Sequence, residues 1–223
     1  MAQLLLQLPP TSYVFPGDAI EGHASLVKIE QFFADAKTGN LPGFAGIDPD
    51  FGKSSGENPQ NIVHAEVFAA SVVRAVMDSP AWPRTLLVWT FDEGGGYYDH
   101  VPPPPAVAPD DIPPLQLPMY DGFARYGFRV PAVVVSPWSR PNHVTSVVHD
   151  HTSILAMVER KWNLPALTHR DAAAADLTDF LNLNQPAFAQ PPALAQPIAG
   201  PAQLACETAG PGQIPPPGSV TPP

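Results

Sequence analysis

Apolar positions fall into short blocks separated by glycine, proline and acidic residues, and the spacing inside each block predicts its structure. Residues 62–77 (IVHAEVFAASVVRAVM) place Val63, Val67, Ala70 and Met77 at offsets near 3.6, with Arg74 the one break on that face. That period predicts a helix, stopped by Ser79-Pro80. Residues 85–91 (TLLVWTF) and 129–138 (RVPAVVVSPW) are near-continuous apolar, β-branched runs, the pattern of strands buried on both faces. Residues 41–51 (LPGFAGIDPDF) read as a shorter strand ending in an acidic loop. Residues 150–162 (DHTSILAMVERKW) predict a helix with Ile154, Leu155, Val158 and Trp162 on one side, and residues 171–183 a last short one.

Alternation of strand and helix predicts an α/β fold: a partial, mainly parallel sheet flanked by helices. Residues 1–20 are expected to be an irregular N-terminal segment and 21–183 the α/β domain. The proline-rich loop 102–118 is expected to be extended and exposed. Three strands are few for a doubly covered sheet, so part of the fold is expected to lie outside this chain, leaving an unpaired strand edge.

Composition changes the picture at the C-terminus. Eleven of the 31 prolines lie between Pro186 and Pro223, so 184–223 reads as a Pro/Ala-rich disordered tail. Charge narrows the partners: 11 basic against 21 acidic residues give a net charge of −10. An acidic body is repelled by phosphate backbones, and no nucleic-acid partner is expected. A metal ion would invert that field locally, which leaves small phosphoesters possible. Cys206 is the single cysteine, so no intrachain disulfide forms. No apolar run is long enough to span a bilayer, and Met1 to Pro10 has an apolar Leu4-Leu5-Leu6 but no basic n-region and no full h-region, so a signal peptide is not expected there.

Candidate chemistry sits where the 85–91 strand ends. Asp92 and Glu93 are adjacent carboxylates, Gly94 to Gly96 follow, and Asp99-His100 comes seven residues after Asp92. In open α/β sheets ligands collect at the carboxyl ends of strands, and carboxylate with imidazole is the donor set of a divalent ion. The same run also reads as a turn with solvated acids. Adjacent acids point apart if the strand continues, and converge only if it breaks at Asp92. A second cluster holds His143, His149, Asp150, His151 and Ser153, where Asp150 reads first as a helix N-cap. Ser136 and Ser139 lack nucleophile-elbow surroundings, and no phosphate-binding glycine motif is present.

Four stretches together resemble a family: bacterial phosphoesterases of the phospholipase C and acid phosphatase type, similar in architecture to the alkaline phosphatase superfamily. They are FADAKTGNLP (33–42), SPAW (79–82) leading into TLLVWTFDEGGGYYDHVPPP (85–104), GFRVP through SPW (127–138), and DHTSI (150–154) with Glu159. The resemblance implies metal-dependent hydrolysis of a phosphoester or phospholipid, with Asp92 and Glu93 as metal ligands. It further implies site roles for His100 and His151, with Asp99 and Asp150 orienting ligands from behind. Asn58 stands where the family has a His-Pro dipeptide, and would bind phosphate oxygens without donating a proton. The family's Glu-Asn pair and Ser or Thr nucleophile belong to an earlier half, so the chain is expected to be the later part of the family fold. The alternative is a catalytically inactive remnant.

Overall fold

The computed structural model describes residues 2–5, 10–14, 26–56, 60–112 and 123–197. Among them, six strands form one sheet: β1 (Ala2–Leu5), β2 (Pro10–Val14), β3 (Leu26–Lys28), β4 (Phe44–Ile47), β5 (Leu87–Thr90) and β6 (Ala132–Val135), in the order β3-β2-β4-β1-β5-β6. Four α-helices accompany them: α1 (Ile29–Thr38), α2 (Ile62–Met77), α3 (His151–Trp162) and α4 (His169–Ala173). The segment 1–20, read as irregular, contains β1 and β2.

The α/β class holds, but the sheet is mixed rather than mainly parallel. β2 runs parallel to β3 and β4, whereas β1 is antiparallel to both β4 and β5, and β6 is antiparallel to β5. The reason at β5–β6 is the connection. Parallel pairing needs a crossover that carries the chain back to the starting end of the sheet. The 91–131 segment instead contains turns and irregular chain among its described residues, and the chain re-enters from the end it left.

Each face of the sheet has its own core. On one side Phe32 and Ala36 of α1 and Phe68, Val72 and Val76 of α2 pack with Ile47, Trp82 and Leu87. On the other, Ile154, Met157, Val158 and Trp162 of α3 cover Leu86, Val88 and Val134, with Leu177 and Leu181. The alternation Leu87/Val88 delivers β5 side chains to opposite faces, as its continuous apolar run predicts. β6 is less buried than its run predicts. It is a sheet edge, and Val133 is 44% exposed.

The α2 boundaries match the sequence period, and Val63 and Met77 of the expected face are buried, but the inner stripe is centred elsewhere. Phe68, Val72 and Val76 face the core, while Val67 is 48% exposed. A helix apolar nearly all round leaves several stripes open, and the largest side chain takes the core. α1 ends at Gly39, whose φ of +75° closes the helix through its N–H to Ala36 O and lets Pro80 approach. In place of one helix across 171–183, α4 is followed by a 3₁₀ turn at Leu177–Phe180. Beyond it, residues 184–197 carry no regular structure but are docked. Trp82 Nε1 donates to Phe188 O (2.9 Å), Phe188 N donates to Pro137 O (3.0 Å), and the Phe188 ring packs on the first core. The stretch 198–223 lies outside the described residues, as does Asn58. No described helix is long and apolar enough to cross a membrane.

Candidate functional site

β5 stops at Thr90, and Asp92 and Glu93 occupy the bend that follows. The strand therefore breaks before the acids, which removes the requirement that they point to opposite faces. Both residues are exposed, and Glu93 Oε2 accepts the Gly95 N–H at 2.7 Å, tying the carboxylate into the turn. Gly95 and Gly96 are both left-handed (φ +63° and +75°), a conformation side-chain-bearing residues adopt at a cost. These two residues reverse the chain and carry it into Tyr97.

α3 begins beside this tip. Asp150 is its N-cap: one carboxylate oxygen accepts from Thr152 N (2.7 Å), Ser153 N (3.2 Å) and Thr152 Oγ1 (2.6 Å). Ser153 Oγ accepts the Asp150 N–H in return at 3.1 Å, completing a capping box. The cap thus occupies the carboxylate expected to orient ligands. The next residue, His151, reaches across to β5, its Nε2 lying 2.8 Å from Phe91 O. A carbonyl only accepts, so Nε2 carries a proton, which in the neutral ring leaves the lone pair on Nδ1. The main chain that positions Asp92 thereby fixes the tautomer of His151.

Asp99 and His100 lie elsewhere. Asp99 accepts Nε and a terminal guanidinium nitrogen of Arg129 (2.8 and 2.7 Å), and also the amides of Val101 and Arg129. The Arg129 guanidinium, then the Val101 amide, hold its carboxyl well below the usual carboxylate range, and Asp99 in turn raises Arg129. This fork clamps the two ends of the 91–131 excursion together. His100 has its Nδ1 3.8 Å from Asp99 and its ring largely in solvent. Arg129 is the residue sequence reasoning passed over. Its signal was the lone arginine that opens the second apolar run.

Around His149 a hydrogen-bonded series resembles a hydrolase relay in outline: Ser153 Oγ at 3.3 Å from Nδ1, and Asp179 at 3.2 Å from Nε2. Ser153 is buried and committed to the capping box, so the series is a brace between α3 and the Leu177–Phe180 turn. Burial would raise Asp179, but hydrogen bonds from Thr145 and His149 outweigh it and lower the carboxyl. His143 stands edge-on to Phe180 at 6.2 Å, away from the acids of the β5 tip in its contacts.

The donor chemistry at the β5 tip suits a hard divalent cation in kind. Among the described residues no group of three or more His, Cys, Asp or Glu converges to hold one, so the pair falls short in number.

The model of the Phosphoesterase family matches residues 13–165, more than half of the chain and all of this tip. The chain belongs to the Phosphoesterase family. Among curated relatives, it is 35% identical over 169 residues to non-specific phospholipase C6 of Arabidopsis thaliana, covering 68% of this chain and 32% of the relative. It is 31% identical over 183 residues to phospholipase C A of Mycobacterium tuberculosis, covering 76% and 35%. Non-specific phospholipase C3 of Arabidopsis thaliana is 33% identical over 174 residues, covering 70% and 33%. This phosphoesterase chain therefore spans about a third of the length of the curated relatives it matches.

Proposed function

We propose that this chain carries part of a phosphoester-hydrolysing site of the phospholipase C or acid phosphatase type, in which Asp92 and Glu93 are ligands of a divalent metal ion. The observation that carries the reading is the broken tip of β5. There the strand stops before both acids, and His151 is held on the carbonyl of Phe91, immediately before Asp92. An ion bound there would neutralise charge on a phosphoryl group. Further ligands have to come from residues beyond the described set. His151, held by its Nε2, turns Nδ1 away from that bond and suits proton exchange with a group entering beside Asp92. Asp99 and Asp150 act through structure: one clamps the loop, the other starts the helix that presents His151. An alkaline phosphatase-like architecture for the complete fold is part of this proposal, supported by the α/β/α layering.

The test is hydrolysis of a soluble chromogenic phosphodiester with Mg²⁺, Mn²⁺ or Zn²⁺ added, by wild type and Asp92→Asn. The reading expects metal-stimulated turnover that Asp92→Asn lowers at least about 100-fold, since removing one charge-stabilising group costs about 3 kcal/mol. Equal rates in the two proteins would remove Asp92 from the site. The incomplete ligand set favours a second reading, a non-catalytic remnant. Absence of turnover by wild type with every metal would favour it.

A further inference from the structure

The C-terminal half of α2 faces an open cleft of about 550 Å³, lined on its other side by residues 191–196. Clefts that hold small ligands run from about 300 to 1,000 Å³. Met77 and Leu194 give this one apolar walls, and Arg74 and Asp78 give it charge. Neither charge is answered by the fold. Among the described residues nothing pairs with the half-buried Arg74 guanidinium or with the Asp78 carboxylate, although the chain has 21 acidic residues. Asp78 is also poorly placed by itself. It is the C-cap of α2, and a carboxylate at the negative end of a helix is favourable only when a cation meets it. The main chain opposite is open as well. Pro191, Pro192 and Pro197 bias this stretch to extended chain. No described residue hydrogen-bonds the amides of residues 193–196. Extended chain with open amides and carbonyls is a template for strand addition.

We propose that this cleft binds a short extended peptide with apolar side chains, its carboxylate on Arg74, its ammonium on Asp78 and its main chain paired with residues 191–196. Spacing fits the two charges to one molecule. Arg74 and Asp78 are one helical turn apart, a rise of about 6 Å, and two residues of extended chain span up to about 7 Å. A dipeptide therefore brings an anionic and a cationic end to both groups at once. A fatty acid would answer Arg74 and leave Asp78 facing a second negative group. A phosphorylated amine such as phosphoethanolamine would answer both charges and leave the apolar walls against water. The cleft lies away from the acids of the β5 tip. It is the opposite end of α2, through Ala65 and Ala69, that packs on Trp89 and Phe91. The inference thus goes beyond the phosphoester reading and stands whether or not that site turns over.

Isothermal titration calorimetry of the full chain with L-leucyl-L-leucine reads the site with no phosphoester present. Wild type is expected to bind it with a Kd below about 1 mM. N-acetyl-leucyl-leucine lacks the ammonium and leucyl-leucinamide lacks the carboxylate, and each should bind at least about tenfold more weakly. Arg74→Gln should abolish the preference over the amide, and Asp78→Asn the preference over the acetylated form. An unchanged melting temperature checks that each variant folds, and the three ligands on wild type carry the test even where a variant melts early. No binding of the dipeptide by wild type up to about 10 mM overturns the proposal. So does equal binding of the three ligands, or a folded variant that keeps the preference it should lose. Tighter binding of phosphoethanolamine or of decanoate than of the dipeptide would also overturn it, making the cleft a site for phosphorylated amines or for fatty acids.

Discussion

Replacing Asp150 by alanine separates two roles for one carboxylate, holding the helix or serving the site. In the fold one oxygen of Asp150 receives Thr152 N, Ser153 N and Thr152 Oγ1, all within 3.2 Å. Losing a cap of this kind costs about 1–2 kcal/mol. The reciprocal bond from the Asp150 amide to Ser153 Oγ uses the main chain and survives the substitution, which keeps the loss inside that range. For a chain of this size each kcal/mol lowers the melting temperature by about 2–4 °C, so Asp150→Ala should melt about 2–8 °C below wild type. Asp150→Ser keeps an N-cap acceptor without the charge and should recover most of that difference. Differential scanning calorimetry on the three proteins at pH 7 decides the matter. An Asp150→Ala melting temperature equal to wild type, or a serine variant as unstable as the alanine one, would refute the capping argument. The carboxylate would then need a role outside α3.

Two further outcomes follow from the packing and the buried acids. Phe68→Ala should destabilise by about 3–5 kcal/mol, whereas Val67→Ala, one residue earlier on the outer face, should change stability by no more than about 0.5 kcal/mol; urea unfolding of both checks which stripe of α2 is buried. Glu159 is raised by burial and by the neighbouring Asp171, which is itself lowered to about 2 because hydrogen bonds from Thr168, Glu159 and Leu167 outweigh its burial. A carboxyl raised in the folded state favours the fold while protonated, and that contribution is lost as pH rises from the unfolded value through the folded one. Glu159→Gln keeps a donor toward Asp171 without a proton to lose. It should gain melting temperature over wild type at pH 8 and little at pH 4, and a gain equal at both pH values would refute the shared-proton account.

The parts legible in the sequence are those where one local rule dominates. α3 was readable because Asp150, Ser153 and the Ile154–Val158–Trp162 spacing agree on a start and a face; the structure reproduces them, with Met157 rather than Leu155 completing the buried side. β5 was readable because an apolar run of its length allows burial on both faces. Strand direction was not readable. Antiparallel β6 depends on where the 91–131 excursion returns, which no local period encodes. α1 was missed although Ile29, Phe32 and Ala36 are spaced for one face, with Gly39 closing the end; its ten residues carry too little pattern beside the neighbouring loops. At the site, the acids of the β5 tip could be named from their place after a buried strand. The partner of Asp99 could not, because Arg129 is thirty residues away and meets it only through the fold.

The docked stretch after residue 183 also sets an order of events during synthesis. Trp82 and Phe188 are joined by a hydrogen bond across 106 residues, and the Phe188 ring closes the core over α1 and α2. Contacts of such long separation form late. A nascent chain therefore cannot seal this core until residue 188 has left the ribosome, well after α2 has been made.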